Sequence, residues 1–277
     1  MKDAGFQEFK SEVTWLNAIK KELGPSRFKR FEEQVKAVQT GLLEGRNLYD
    51  TLYKEIEFHL VLSRHVDRIL TCYEAIILQV NHQFSKSSPI IDLGCSTGVL
   101  LDYLEQGYEF KGIGVDTSGN ALMIAAERNS QLNFVLWDYQ KSTTQELNSV
   151  QQAICVFGVD FESLPQLQPE AINSYAPYLS EDSQLHKMRL EEALGIWENW
   201  SSIFVSNSQM IQVLRLAWFD HFVAWIRAAE ENDWILVHIE WVENQERFPL
   251  MTWEYQSIKA GVLTQLSTLK DFWDREI

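Results

Sequence analysis

The strongest indication of the fold comes from one stretch of sequence, Ile90-Ile91-Asp92-Leu93-Gly94-Cys95-Ser96-Thr97-Gly98-Val99-Leu100. It begins as an apolar, β-branched run and ends as the start of a helical pattern, with a glycine-containing turn between them. Glycine lets the backbone approach a ligand where a Cβ would clash, and the free N–H groups of a helix N-terminus favour an anionic group. By this argument alone, a carboxylate and a phosphate fit the turn equally well.

Short β-branched segments alternate with helical patterns around this turn. The sequence predicts strands at about 89–93, 110–115, 132–137 and 152–157. It also predicts crossover helices at Val99 to Gln106 and Ala121 to Arg128, with Ser118 as the N-cap of the second helix. Because βαβ crossovers are right-handed, the four strands are expected to be neighbours in one doubly wound α/β sheet of the Rossmann-like type.

Helical periodicity dominates the chain before the turn. Residues 1–85 are predicted to form a helical N-terminal extension, or cap, that is broken at Gly24-Pro25-Ser26. The remaining residues, 86–277, are predicted to form the ligand-binding domain. Within it, a segment from about 159 to 207 has weak periodicity and several prolines, which is typical of a long loop that acts as a substrate lid.

The sequence after this lid segment predicts a mixture of helix and strand. The spacing from Ile211 to Ala229 predicts a helix, and residues 234–239 predict a fifth strand. Pro249 is expected to open a further helix that Gly261 closes, and Val262 to Leu269 is expected to be one more strand.

The spacing within the turn distinguishes its possible ligands. A dinucleotide fingerprint reads GxGxxG, whereas this turn reads DxGxSxG, with an acid two positions before the first glycine. An acid there would repel a pyrophosphate but could pair with the amino group of an amino acid. The turn resembles the first motif of the class I S-adenosylmethionine-dependent methyltransferases. In that family the motif holds the methionine end of the cofactor, which implies this role for Asp92, Gly94, Ser96 and Gly98.

The resemblance continues along the next three strands. Asp116 ends the second strand, where the family's acid accepts hydrogen bonds from both ribose hydroxyls, and Thr117 follows it. Asp138 would bind the adenine amine, while Tyr139 or the tryptophan before Asp138 would cover the ring. Phe157 lies at the end of the fourth strand, which borders both cofactor and acceptor, since ligands of open α/β sheets lie at the carboxyl ends of the strands.

Two features depart from the family pattern. Ser96 replaces the glycine that is usual at the middle of the turn. A serine fits there if its φ is negative, and its hydroxyl could reach the cofactor. The tail is also short, and the family's two antiparallel closing strands cannot both be found in it. The far edge of the sheet is therefore expected to lack a strand.

Three side chains are candidates for a general base. The sulfonium of the cofactor is already activated, so the enzyme mainly has to align an acceptor O, N or C lone pair with the methyl group. A base is needed only if the acceptor must lose a proton. His186 lies in the predicted lid, while His238 and Glu240 alternate onto one face near the carboxyl end of the predicted fifth strand.

Composition and charge limit the partners. The formal charge of -15 at pH 7 would repel a phosphate backbone, so no nucleic-acid partner is expected. No apolar run is long enough to span a bilayer, and the N-terminus lacks a secretory signal, which predicts a cytoplasmic protein without membrane attachment. The cysteines and histidines show no metal-binding spacing, so no metal is expected and the thiols are expected to be buried and free.

The sequence therefore predicts an S-adenosylmethionine-dependent enzyme that methylates a small, largely apolar or aromatic metabolite. Its pocket would be lined by Tyr53, Phe58 and His59 and by aromatic residues of the lid. Two alternatives stay open. The acceptor could be a peptide or protein side chain, for which an acidic surface suits a basic segment. Alternatively, a binding protein could retain the fold without catalysing transfer.

Overall fold

In the part of the chain that the structure describes, seven strands form one sheet with helices on both faces. The structure is a computed structural model, and it describes residues 7–40, 42, 45–55, 60, 63–139, 141–159, 184–216, 219–243, 247–256 and 264–274. The strands are β1 (Ile90–Leu93), β2 (Gly112–Asp116), β3 (Asn133–Leu136), β4 (Val150–Val156), β5 (Phe204–Val213), β6 (Trp234–Glu243) and β7 (Arg247–Tyr255). The helices are α1 (Glu12–Gln39), α2 (Gly45–Glu55), α3 (Val66–Gln83), α4 (Val99–Tyr108), α5 (Gly119–Arg128), α6 (Gln184–Ser201), α7 (Phe219–Glu231) and α8 (Leu266–Trp273), with a short 3-10 helix at Ser63–His65.

The strand order is β3-β2-β1-β4-β5-β7-β6. Strands β1 to β5 run parallel to one another, whereas β7 is antiparallel to both β5 and β6. The four predicted strands and their two crossover helices are confirmed. Ser118 caps α5 as expected, because its Oγ accepts the backbone N–H of Ala121 at 3.1 Å. The doubly wound fold class is therefore confirmed.

The prediction of a trimmed sheet edge was wrong, because both antiparallel closing strands are present. The stretch that was expected to begin a helix at Pro249 is part of β7. Pro249 lies one residue beyond the last pair between β5 and β7, Val213 with Leu250. Proline is tolerated in such a place, where one side of the strand has no ladder to interrupt. The expected final strand, Val262 to Leu269, is also wrong over its described part, since α8 begins at Leu266.

Strand β5 occupies residues where the sequence predicted the end of a lid and the start of a helix. Met210, Ile211 and Val213 are all completely buried, because helices cover both faces of the sheet at this strand. A strand that is buried on both faces shows no alternation of apolar and polar residues, so periodicity alone cannot separate it from a helix. The helix begins only at Phe219, and residues 234–239 consequently belong to the sixth strand of the chain.

The N-terminal extension is helical, as predicted, over its described residues. Gly24 has φ 69° and ψ 171° and kinks α1 next to Pro25, which confirms the predicted break. Helices α1 and α2 form a small core of their own, in which the Trp15 indole N–H donates to the Leu60 carbonyl at 2.7 Å. Helix α3 instead packs on the sheet and shares its core with β1, β4 and β5.

Tryptophans form the centre of the core on the sheet face that α6 and α7 cover. Five of them are at most 1% exposed: Trp197, Trp200, Trp225, Trp234 and Trp253. The ring of Trp197 lies 5.2 to 5.4 Å, between centroids, from each of the other four. The two that fall within the predicted lid therefore stabilise the core and do not line an acceptor pocket.

Candidate active site

The candidate site lies at the carboxyl ends of β1, β2 and β4. Asp92 is only 2% exposed, and the sheet register places it between Gly114 of β2 and Ile154 of β4. Gly94 and Gly98 have φ of 85° and 71°, in the left-handed region that favours glycine. The turn thus connects a buried strand to the N-terminus of α4, in the form that the sequence predicted.

The main chains that follow β1 and β4 touch each other. A Cβ on Gly94 would overlap the Cα of Gly158, and a Cβ on Gly158 would overlap the carbonyl oxygen of Leu93. Neither glycine can therefore carry a side chain without moving a strand end. Sequence reasoning missed Gly158, although a glycine so soon after a buried strand was an available signal.

Ser96 differs from the expectation that its φ would be negative. Its φ is 52°, a left-handed conformation that costs a non-glycine residue about 1 kcal/mol. Two contacts hold it there. The Ser96 N–H donates to Asp116 Oδ2 at 2.7 Å, and its Oγ lies 2.6 Å from the hydroxyl of Tyr53. The serine thus connects the turn from Gly94 to Gly98 with β2 and with α2.

Asp116 ends β2 and is held by backbone donors on both carboxylate oxygens. Its Oδ1 accepts the N–H of Ser118 at 2.8 Å, and its Oδ2 accepts the N–H of Ser96. Burial raises the pKa of Asp116 above its ordinary value, and hydrogen bonds from the backbone of Ser118, Ser96 and Thr117 oppose this rise. A carboxylate has about four acceptor sites, so Asp116 can still accept ligand hydroxyls. Thr117 is half-buried beside it.

Asp92 is a buried acid to which the described part of the protein supplies no ion pair. Burial raises the pKa of Asp92 from 3.8 to about 8, and the nearby charge of Asp116 adds to the rise. Among the residues that the structure describes, no lysine or arginine forms a salt bridge with either acid. A ligand that brings a cation to this end of β1 would restore the ionised carboxylate.

Helix α2 of the N-terminal extension lies across the same strand ends. Asp50 Oδ1 accepts the Ser118 hydroxyl at 2.6 Å, and its Oδ2 accepts the Asn120 side-chain amide at 2.9 Å. Three residues later, Tyr53 reaches Ser96. Sequence reasoning named Tyr53 but missed Asp50 and Asn120. The available signal for Asp50 was its spacing from Tyr53, since residues three apart share one helix face.

The two residues predicted for the adenine end have different surroundings. Asp138 follows β3, and its Oδ2 lies 3.8 Å from Lys141 Nζ. Tyr139 is 2% exposed, its ring packs between Trp137 and Trp200, and its hydroxyl donates to the carbonyl oxygen of Gly158. The ring of Tyr139 thus lies in the core and reaches the site only through Gly158.

Phe157 forms part of an aromatic wall at the end of β4. It has φ 53°, and its ring centroid lies 5.0 Å from that of Phe248 on β7, in an edge-on arrangement. The guanidinium of Arg68 from α3 lies 5.6 Å from one ring and 5.7 Å from the other. This wall, next to the Gly94 turn, offers apolar and polarisable contacts to a bound molecule.

His186 lies in the first turn of α6 against the first turn of α7. Its Nδ1 is 2.7 Å from Asp220 Oδ1, and Arg189 donates to the other oxygen of Asp220 at 2.5 Å. Because α7 follows β5 in the chain, this group lies towards the carboxyl edge of the sheet. The side chain of His186 is only 4% exposed.

The structure does not bring His238 and Glu240 together with the turn from Gly94 to Gly98. Both lie on β6, the edge strand. A row of paired residues, one on each of β4, β5 and β7, connects Asp92 on β1 with His238 on β6. At ordinary strand spacing the two residues therefore lie about 19 Å apart. Glu240 accepts a hydrogen bond from Gln79 of α3 at 2.9 Å, and it lies 3.6 Å from the His238 ring.

Several predictions concern absences or residues outside the described ranges. Phe58, His59 and residues 160–183 of the lid lie outside them. Over the described residues, no group of three metal-ligating side chains is found, and the three cysteines lie buried as free thiols. Within the same ranges, none of the helices combines the length and apolarity that a bilayer crossing requires.

Comparison with known proteins identifies the domain around this site. Residues 90–181 match the sequence model of a methyltransferase domain. No curated protein matches the chain. The structure is similar to magnesium protoporphyrin IX methyltransferase of Synechocystis PCC 6803 with bound S-adenosylmethionine, at 10% identity and a TM-score of 0.47 over 90% of this chain and 100% of that one.

Two further structures, both in complex with S-adenosylhomocysteine, have a similar degree of likeness. One is the O-methyltransferase from a trans-AT PKS multienzyme of Brevibacillus brevis, with 10% identity and a TM-score of 0.46 over 72% of this chain and 75% of that one. The other is TrmK of M. capricolum, with 12% identity and a TM-score of 0.45 over 70% and 73%. Likenesses this distant carry no information about the acceptor.

The domain match covers the turn and the first four strands of the sheet. It agrees with the DxGxSxG spacing and with the acid at the end of β2. The chain therefore contains a methyltransferase domain of the class I S-adenosylmethionine-dependent type, an enzyme domain whose cofactor is S-adenosylmethionine.

Proposed function

We propose that this enzyme methylates a small, largely apolar or aromatic metabolite on O, N or C. The observation that carries the proposal is the closure of the site by α2, which Asp50 and Tyr53 tie across the strand ends. A small molecule fits beneath such a cap. An acceptor on a large surface would first have to break these hydrogen bonds. In this proposal residues 1–85 are the cap and residues 86–277 are the cofactor domain, in which the described end of the predicted lid, α6 and the start of β5, belongs to the core.

The geometry of each strand end supports a role for its residues in binding the cofactor. Asp92, at the end of β1, pairs with the ammonium group of the methionine moiety, and the turn from Gly94 to Gly98 accommodates its carboxylate. Asp116 and Thr117 bind the ribose, and Asp138 accepts the adenine amine. Tyr139 supports the site from the core by fixing Gly158.

The acceptor would lie between α2 and the aromatic wall of Phe157 and Phe248. When bound, the cofactor would supply an activated methyl group for a lone pair of the acceptor. The residues of the wall and the cap orient the acceptor and exclude water, which are the main contributions that such a transfer needs. His186 is the proposed base for acceptors that must lose a proton, because Asp220 fixes its Nδ1.

Other partners are less favoured by the same observations. The net charge of -15 opposes a nucleic-acid acceptor. The negative charge would suit a basic peptide as acceptor, but α2 lies closed over the site and disfavours an acceptor of that size. We also propose that the enzyme works in the cytoplasm without membrane attachment, and that no metal takes part.

Transfer of labelled methyl groups tests the acceptor class. Purified enzyme is incubated with methyl-labelled S-adenosylmethionine and, separately, with a panel of small phenols and aromatic acids, basic peptides and transfer RNA. We expect label only in members of the small-molecule panel, and none with Asp92→Asn. Label in the peptides or the RNA, with none in the small molecules, would refute the proposed acceptor. No label anywhere, with no binding of cofactor, would refute the cofactor roles as well.

A further inference from the structure

Asp50 of the N-terminal extension shares a hydrogen-bonding partner with the ribose acid. Ser118 donates its backbone N–H to Asp116 Oδ1 at 2.8 Å and its hydroxyl to Asp50 Oδ1 at 2.6 Å. One serine therefore bridges the two carboxylates. The charge of Asp50 also contributes to the raised pKa of Asp116, after burial and against the backbone hydrogen bonds, as expected for acids this close.

Three carboxylates thus converge on the cofactor cleft from three elements: Asp92 from β1, Asp116 from β2 and Asp50 from α2. The charge of Asp116 adds to the effect of burial in raising the pKa of Asp92, so the two acids lie close together. Among the described residues, no lysine or arginine forms a salt bridge with any of the three. Positive charge on a ligand favours the ionised form of carboxylates that share a partly buried cleft without a protein cation.

The cofactor changes its charge during the reaction. S-adenosylmethionine carries an ammonium and a sulfonium, whereas S-adenosylhomocysteine, the product of methyl loss, keeps only the ammonium. The sulfonium joins the ribose to the methionine chain, so it lies between the groups that Asp92 and Asp116 bind. We propose that Asp50 is a third carboxylate of the cofactor site, and that the three acids make the site prefer the cationic cofactor over its neutral product.

The inference rests on the cofactor roles proposed above and adds a specificity to them. One unit charge a few ångströms from partly screened carboxylates changes a dissociation constant by about tenfold. The enzyme should therefore release its product readily and be weakly inhibited by it. Asp50 contributes to this preference only while α2 is docked, because Ser118 and Asn120 hold its carboxylate at the cleft.

Isothermal titration calorimetry with the full chain at pH 7.5 tests the inference. S-adenosylmethionine should bind about tenfold more tightly than S-adenosylhomocysteine. Asp50→Asn should reduce this ratio to about threefold, through a loss of S-adenosylmethionine affinity and little change for the product. Asn120→Ala keeps the charge of Asp50 but removes one of the groups that hold its carboxylate in place, so it should reduce the ratio by less. Glu74→Gln removes an exposed acid of α3 and should leave the ratio unchanged.

The outcomes separate this inference from the proposed function. Equal binding of both ligands by the wild type, or tighter binding of the product, would overturn the preference and leave the cofactor roles intact. An equal loss of affinity for both ligands in Asp50→Asn would show that Asp50 serves only to dock α2. No binding of either ligand would overturn the cofactor roles and the preference together. The wild-type ratio needs no variant, so it decides the matter even if Asp50→Asn does not fold.

Discussion

Replacing Asp92 with asparagine is expected to stabilise the protein while abolishing cofactor binding. Burial raises the pKa of Asp92 from 3.8 to about 8, so in the absence of cofactor the folded protein holds a proton that the unfolded chain releases above pH 3.8. The folded state then binds more protons than the unfolded state, and the free energy of unfolding falls as pH rises between these two values. Asparagine has the same shape and does not ionise, so it removes this loss.

The size of the effect follows from the same two pKa values. The pKa of Asp92 in the unfolded chain lies about three pH units below pH 7, and each unit is worth about 1.4 kcal/mol. Asp92 therefore lowers the free energy of unfolding by about 4 kcal/mol at pH 7. The cost disappears below about pH 4. Urea unfolding of the wild type and of Asp92→Asn measures the free energy of unfolding at pH 4, where this cost is absent, and at pH 7, where it is present.

A buried acid that has a cation is the matched control. Asp102 of α4 accepts hydrogen bonds from Arg128 at 3.1 Å and from Asn129 at 2.8 Å. Asp102→Asn should therefore lower the free energy of unfolding by about 2 kcal/mol or more at pH 7, whereas Asp92→Asn should raise it. If Asp92→Asn is less stable than the wild type at pH 7, or if both proteins lose stability equally between pH 4 and pH 7, the reasoning about an isolated buried charge is wrong.

Four further outcomes can be measured directly. The affinity of the wild type for S-adenosylmethionine should rise by up to about tenfold per pH unit as pH approaches 8, because the ammonium requires an ionised Asp92; a flat calorimetric profile from pH 6 to pH 8 would contradict this. Gly94→Ala should lower the free energy of unfolding by about 3 kcal/mol or more in urea, because its Cβ overlaps Gly158, and a loss below about 1 kcal/mol would show that the strand ends can separate. Tyr53→Phe should speed cofactor dissociation several-fold in stopped-flow experiments, since it removes the contact between α2 and the turn, and an unchanged rate would mean that α2 does not limit release. Gln212→Leu should cost about 2 to 4 kcal/mol in chemical unfolding, because its Oε1 accepts two buried indole N–H groups at 2.9 and 3.1 Å; a loss below about 1 kcal/mol would contradict that role.

The first half of the sheet and the cofactor end of the site could be predicted from local sequence. Strands β1 to β4 are short β-branched runs between clear helical patterns, and the first three have an acid at or just after their carboxyl ends. Because parallel strands end at the same edge, the order of Asp92, Asp116 and Asp138 along the chain was enough to predict a common edge. Local pattern and tertiary structure agree in this part of the chain.

The other features depend on contacts that local pattern does not encode. Strands β5 and β7 are buried on both faces, so their apolar residues follow one another without the alternation that marks a half-buried strand. Asp50 is 68 residues from Ser118, and its place at the site depends on how α2 docks. The left-handed φ of Ser96 is likewise held by partners from β2 and α2, which no rule for isolated serine anticipates.

The contact between Gly94 and Gly158 has a consequence for how enzymes of this architecture diversify. Since backbone meets backbone there, the floor of the active site has a fixed width, and point mutation can neither enlarge nor narrow it without disturbing the sheet. Selection for a new acceptor must then act on the walls, above all on the helical extension and on the side chains around Phe157. Directed-evolution libraries should accordingly randomise α2 and leave the strand ends untouched.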